Sequence, residues 1–188
     1  VEKKIICVKD SSNTVYGLVL CGGLSSRMGR DKALIDYHGV PQYEWVSNLL
    51  KPFCTKVFCS VSETLQEKIT ALKIVDTYKE QGPLGGIVSA FELGNDVDWL
   101  IVSCDMPHLI GKDVEHLIAQ RDSLVCYQLG AFINPLFSYW PKGTQEAVIR
   151  LFKSGERSPK AIFSQLEGRL IQAQVPERHD NINDDRLP

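Results

Sequence analysis

The run Leu20-Cys-Gly-Gly-Leu-Ser-Ser-Arg-Met-Gly-Arg-Asp-Lys32 gathers Gly22, Gly23 and Gly29 with Arg27 and Lys32 in one short stretch. Glycine permits positive φ and lets main-chain amides approach an anion with no Cβ in the way. Arg27 adds a forked donor and Lys32 a mobile point charge, a pairing suited to a polyphosphate. An ordinary glycine-rich turn with solvated basic neighbours is the plainer reading of a bare Gly-Gly pair, and the two cations shift the balance toward phosphate. The run is neither G-x-G-x-x-G nor G-x-x-x-x-G-K-S/T, because Lys32 follows Asp31 rather than a glycine.

Two carboxylates stand out. In Trp99-Leu-Ile-Val-Ser-Cys-Asp105-Met-Pro107 an apolar run delivers Asp105 to its end, and Pro107 blocks continuation of a strand ladder. A carboxylate facing a triphosphate repels it unless a cation lies between, which points to magnesium at Asp105. Capping of the following helix is the alternative, weakened because Gly111 to Asp113 offer caps of their own. In Asp76-Thr-Tyr-Lys-Glu-Gln-Gly-Pro-Leu-Gly-Gly-Ile87, Asp76 ends another apolar run and could accept two hydrogen bonds from a base or ribose. Gly82-Pro83 starts a helix there, while tight helix-to-sheet packing is the plainer reading of Gly85 and Gly86. Near the end, Asn181 and Asn183 alternate in a way that points both to one side if extended, although a polar tail reads equally well.

Positioning these groups falls to short apolar runs that alternate with helical stretches. Val15–Cys21, Lys56–Val61, Lys73–Val75, Trp99–Ser103 and Leu124–Tyr127 read as strands buried on both faces. Gln42–Leu50, Leu84–Leu93, Asp113–Gln120 and Thr144–Phe152 carry apolar stripes at helical spacing. The alternation predicts an α/β fold, a Rossmann-like three-layer sandwich with a doubly wound, mostly parallel sheet. Pro135–Trp140 is expected to add a late antiparallel strand and Leu170–Val175 another short one. Ligands of such sheets bind at the carboxyl ends of the strands, so the loops that follow strands should hold the chemistry.

Composition narrows the classes. The chain has 188 residues, a formal charge of −2 from 21 basic and 23 acidic side chains, and 44% hydrophobic residues. A chain of this size buries roughly 70% of its unfolded surface around one core. A near-neutral charge argues against a nucleic-acid binder, which needs a basic face, so any bound anion must be held by a few placed groups. No apolar run is long enough to span a bilayer, and Ile5–Val8 is too brief for a signal peptide. The six cysteines show no Cys-x-x-Cys spacing, which reads as reduced thiols in a cytoplasmic protein. Residues 1–14 are expected to be a leader or fusion remnant, since the chain begins with Val1, and residues 15–188 a single domain.

Together these motifs resemble the nucleotidyltransferases that build molybdenum cofactor. The glycine run is similar to their L-A-G-G-x-S-x-R-M-G-x-D-K, Gly82-Pro-Leu-Gly-Gly-Ile87 to G-P-L-x-G-I, Cys104-Asp-Met-Pro107 to C-D-M-P, and Asn181-Ile-Asn183 to N-I/V-N. The order is kept from Val15 to Asp184. Cys-Gly-Gly and Cys-Asp-Met-Pro fall on the side of the molybdenum cofactor guanylyltransferases, whereas the cytidylyltransferases carry A-A-G and D-Q-P. Cys21 stands in place of the usual Ala, and Ser60 falls where some members place a nucleotide-binding Asn.

The resemblance implies magnesium-dependent transfer of GMP from GTP to the terminal phosphate of molybdopterin, with or without its metal, and release of pyrophosphate. It implies that Leu20, Cys21, Gly22, Gly23 and Ser60 contact the nucleotide, Arg27 and Lys32 the phosphates, and Asp76 the guanosine. Asp105 would hold magnesium and GTP, and Asn181 and Asn183 would lie toward the pterin. Arg27, Lys32 and Asp105 are then the catalytic set. GTP and molybdopterin are the expected partners, with proteins that deliver molybdopterin or receive the dinucleotide, and with neither nucleic acid nor membrane. A cytidylyltransferase, a sugar- or alcohol-phosphate nucleotidyltransferase, or a non-catalytic nucleotide-binding domain are the alternatives.

Overall fold

Val15–Leu20 is apolar at nearly every position, and it lies where such a run must, between two other strands with helices on both faces. The computed structural model describes residues 14–22, 31–94 and 96–180. Its strands are β1 (Val15–Leu20), β2 (Lys56–Val61), β3 (Lys73–Val75), β4 (Asp98–Ser103), β5 (Val125–Leu129), β6 (Phe132–Trp140) and β7 (Arg169–Gln172). The helices are α1 (Gln42–Leu50), α2 (Gly82–Leu93), α3 (Gly111–Ile118), α4 (Gln145–Lys153) and α5 (Pro159–Gln165). Short 3₁₀ turns occupy Lys32–Leu34 and Pro176–His179.

The strands form one sheet in the order β3-β2-β1-β4-β6-β5-β7. Every neighbouring pair is parallel except those made by β6. The exception has a local cause. Leu129 pairs with Phe132 across a two-residue turn in which Gly130 takes φ +59°, so β6 must run back along β5. The expected late antiparallel strand is therefore present, but it starts at Phe132 rather than Pro135. Pro135 sits within a bulge, where the register jumps from Cys126–Ser138 to Tyr127–Asn134, and there its missing N–H costs no ladder bond. The last strand is Arg169–Gln172, shorter and earlier than Leu170–Val175.

Alternation along the central strands feeds two cores. Leu100 and Val102 of β4 join Val19, Val46, Leu50, Val114 and Leu117 beneath α1 and α3. Trp99 and Ile101 face the other way, into Leu18, Ile87, Phe91, Val148, Phe152 and Ile162 beneath α2, α4 and α5. This is the three-layer arrangement expected from the sequence. Helix α5 adds to the elements expected from the sequence: Ser158 accepts a hydrogen bond from Ala161 N at 3.2 Å and Pro159 opens the first turn.

Candidate functional site

Strands β3, β2, β1 and β4 are adjacent and parallel, so their carboxyl ends share one edge. The ladders continue one residue further. Cys21 N donates to Ser60 O at 3.0 Å, Cys104 N to Leu20 O at 3.2 Å, and Asp76 N to Val61 O at 2.9 Å. Leu20, Cys21, Gly22, Ser60, Asp76 and Asp105 are thereby brought to a single rim. Asp76 and Asp105 leave strands three spacings apart, about 14 Å along the edge. One ion cannot bridge carboxylates that far apart.

Asp76 lies in a slot made by small residues. Ser60 Oγ donates to its Oδ1 at 2.6 Å. A Cβ on Gly22 would stand 3.0 Å from Oδ2, and a Cβ on Gly86 would collide with Ser60 Oγ. The close-packing reading of the α2 glycines thus holds, and at Gly86 it serves the carboxylate itself. Gly85 has a similar need, since its Cβ would come within 2.6 Å of Tyr78 O. Burial pushes the Asp76 carboxyl up to about 6, and the Ser60 hydrogen bond works against that rise. The following turn is pinned through Ser89, whose hydroxyl accepts from Thr77 N at 2.9 Å and donates to Gly85 O at 2.8 Å.

Asp105 occupies the turn after β4. Its Oδ1 accepts from Ser103 Oγ at 2.6 Å, which orients the half-buried carboxylate. It does not cap α3: Asp113 does, accepting from Ile110 N at 3.0 Å. Lys32 begins the 3₁₀ turn that leads away from the glycine run, and the preceding Asp31 is paired with Lys68 at 3.1 Å. Gly23, Arg27, Asn181 and Asn183 lie outside the described residues.

Other neighbours of the rim carried no clear sequence signal. Arg157 reaches Gln81 Oε1 at 2.5 Å, just ahead of α2, while its guanidinium lies over the Phe152 ring. His38 reaches the Asp105 turn from 69 residues away. His108 is exposed, and His116 bonds Tyr127 at 3.1 Å. A groove of about 530 Å³ lined by Tyr43, Ser47, Cys54, Lys56 and Thr70 contains none of the rim residues. No described helix is long and apolar enough to cross a membrane.

A mostly parallel α/β sheet that brings Leu20 to Gly22 and two carboxylates to the carboxyl ends of its strands has the plan of a nucleotide-handling domain. The chain belongs to the MobA-like NTP transferase domain family, whose model matches residues 17–170. It is 42% identical over 171 residues to the molybdenum cofactor biosynthesis bifunctional protein of Synechocystis sp., covering 86% of this chain and 49% of that protein. The chain therefore spans about half the length of that relative. It is 31% identical to the molybdenum cofactor guanylyltransferase of Pseudomonas fluorescens, over 90% of each chain. The crystal structure of molybdopterin-guanine dinucleotide biosynthesis protein A from Archaeoglobus fulgidus superposes with a TM-score of 0.70 at 21% identity, covering 90% of this chain and 93% of that one, and shows the shared fold.

Proposed function

We propose that this chain transfers GMP from GTP to the terminal phosphate of molybdopterin. The observation that carries the reading is the convergence of Leu20–Gly22, Asp76 and Asp105 on one sheet edge, in a chain whose relatives bear the guanylyltransferase name. A phosphate oxygen of molybdopterin forms a bond to the α-phosphorus as the bond from that phosphorus to the bridging oxygen breaks, and pyrophosphate leaves with the electron pair. The attacking phosphate is already ionised at neutral pH, so no protein base is needed. Catalysis then rests on positioning and charge neutralisation.

Each residue has a place in that scheme. The amides of Leu20 to Gly23 line the nucleotide, and Arg27 and Lys32 hold the phosphates that depart. Asp76 accepts hydrogen bonds from the guanosine, and Ser60 acts on the nucleotide through Asp76, because its hydroxyl proton is already committed there. Asn181 and Asn183 are assigned to the pterin by the family resemblance.

The donor set at Asp105 suits magnesium. No group of three or more His, Cys, Asp or Glu among the described residues could hold a metal by itself, and magnesium ordinarily takes one or two carboxylates and completes its shell with phosphates and water. Asp105 supplies such a carboxylate, with one oxygen fixed by Ser103. When bound, the ion would neutralise charge developing on the phosphates.

The reading extends to a single transferase domain over residues 15–188, and to the cytoplasm. There thiols stay reduced, in keeping with the unpaired Cys21, Cys54, Cys59, Cys104 and Cys126. Proteins that deliver molybdopterin or receive its dinucleotide complete the partner set. Pyrophosphate release with a nucleotide panel, magnesium and molybdopterin tests the proposal. Release with GTP and its loss in Asp105→Ala support it; release with CTP alone, or with none of the nucleotides, overturns it.

A further inference from the structure

Between the 3₁₀ turn that begins at Lys32 and the start of α1, the chain makes a tight, internally braced loop. Asp36 Oδ1 accepts from His38 N at 3.0 Å and from Gly39 N at 2.6 Å, an Asx turn closed by Gly39 at φ +79°. An isolated bridge between Asp36 and Pro41, and the bond from Gln42 N to Ile35 O at 2.9 Å, close the base of the loop. This leaves little freedom in where the His38 side chain points. Its ring stacks on Trp45 of α1, with centroids 3.9 Å apart and planes 21° from parallel. Its Nε2 then stands 2.8 Å from Pro107 O. A carbonyl only accepts, so Nε2 carries the hydrogen.

Pro107 lies two residues beyond Asp105, in a turn whose own closing bond, Leu109 N to Met106 O, is long at 3.5 Å. The upstream end of that turn is tied to β1 through Cys104 N and Leu20 O. The downstream end is met by His38. We propose that His38 is a positioning residue, a strut that locks the segment carrying Lys32 to the turn carrying Asp105. The inference rests on the nucleotidyl-transfer reading for its consequence, because a triphosphate must be gripped by Lys32 while its metal is held by Asp105. A shift of about 1 Å between such groups can cost about 100-fold in rate.

The strut is tested by His38→Ala and His38→Gln. Removing an exposed ring leaves both cores intact, and the glutamine amide nitrogen can stand where Nε2 stands. The first measurement is amide hydrogen exchange of the nucleotide-free protein. In His38→Ala the amides of Met106, His108 and Leu109 exchange faster by up to about tenfold, the range one hydrogen bond of this kind supports, and in His38→Gln they return toward the parent. Trp45 emission changes in both variants because its stacking partner is gone. The second measurement is pyrophosphate release against magnesium concentration: in His38→Ala kcat falls and the half-saturating magnesium rises by about tenfold each, with recovery in His38→Gln. Unchanged exchange at Met106 to Leu109 in His38→Ala overturns the strut, as does a magnesium curve identical to the parent's. If the parent itself releases no pyrophosphate, the guanylyltransferase reading fails, and the exchange measurement decides the strut on its own.

Discussion

Ser60 Oγ donates a 2.6 Å hydrogen bond to Asp76 Oδ1, tying the carboxyl end of β2 to the residue that follows β3. Neither residue acts alone in this arrangement. Burial raises the Asp76 carboxyl to about 6, and the Ser60 bond restrains the rise. The proposed acceptance of hydrogen bonds from guanosine needs the carboxylate, so GTP affinity is expected to fall as pH drops through about 6, by up to about tenfold per unit. In Ser60→Ala the restraint is gone and the midpoint moves upward. Calorimetric titration with GTP from pH 5 to 8 measures both. The difference between parent and variant cancels the ligand's own titration, and identical profiles would remove Ser60 from the site.

The same shift has a cost to the fold, with a definite sign. A carboxyl raised from 3.8 unfolded to about 6 folded binds more protons in the native state between those values. Its contribution to stability is present below 3.8 and is lost as pH rises through about 6. Asp76→Asn removes that cost and can keep the Ser60 bond through its amide oxygen. The variant should melt at a higher temperature than the parent at pH 7.5, with the gap closing near pH 4, while its GTP affinity falls. A gap that persists unchanged at pH 4 contradicts the linkage.

Gly86 should be intolerant of even one methyl group. Its Cβ would overlap Ser60 Oγ and lie 3.2 Å from Asp76 Oδ1, with α2 packed on the sheet and unable to retreat freely. Gly86→Ala is expected to cost about 1–3 kcal/mol of stability, the range for overpacking, and to weaken GTP binding. Adding Ser60→Gly should recover part of the stability, a coupling that denaturant titration of the double-mutant cycle detects. Strict additivity would show that the two sites do not meet.

Much of this architecture is legible in the residue pattern, for identifiable reasons. Lys56–Val61, Lys73–Val75 and Gln42–Leu50 match the elements because each apolar run stops at polar residues or proline, Ser62-Glu63, Asp76 and Lys51-Pro52 in turn. Parallel order then places Asp76 and Asp105 at one edge, since a residue that follows a strand in such a sheet has nowhere else to go. The strand expected over Pro135–Trp140 begins three residues earlier, at Phe132, because a bulge accommodates Pro135 inside it. Helix α5 was hidden in the polar run around Ser158-Pro159, whose capping pair is its one local signal.

Long-range partners were not legible at all. His38 and Pro107 are 69 residues apart, and the contact depends on the relative placement of two loops. The resemblance makes Ser60 a nucleotide contact; its hydrogen bond to Asp76 is a further partner that the β2–β3 register sets and that no local pattern signals.

The central claim is that the edge bounded by Asp76 and Asp105 moves a nucleotidyl group rather than a phosphoryl group. GTP labelled at the α- or the γ-phosphorus, incubated with the protein, magnesium and molybdopterin, distinguishes them directly by product chromatography. The account predicts that the α-label enters a pterin guanine dinucleotide, that the γ-label leaves in pyrophosphate, and that Asp105→Ala does neither. Transfer of the γ-label to an acceptor, or release of inorganic phosphate without any dinucleotide, would contradict it.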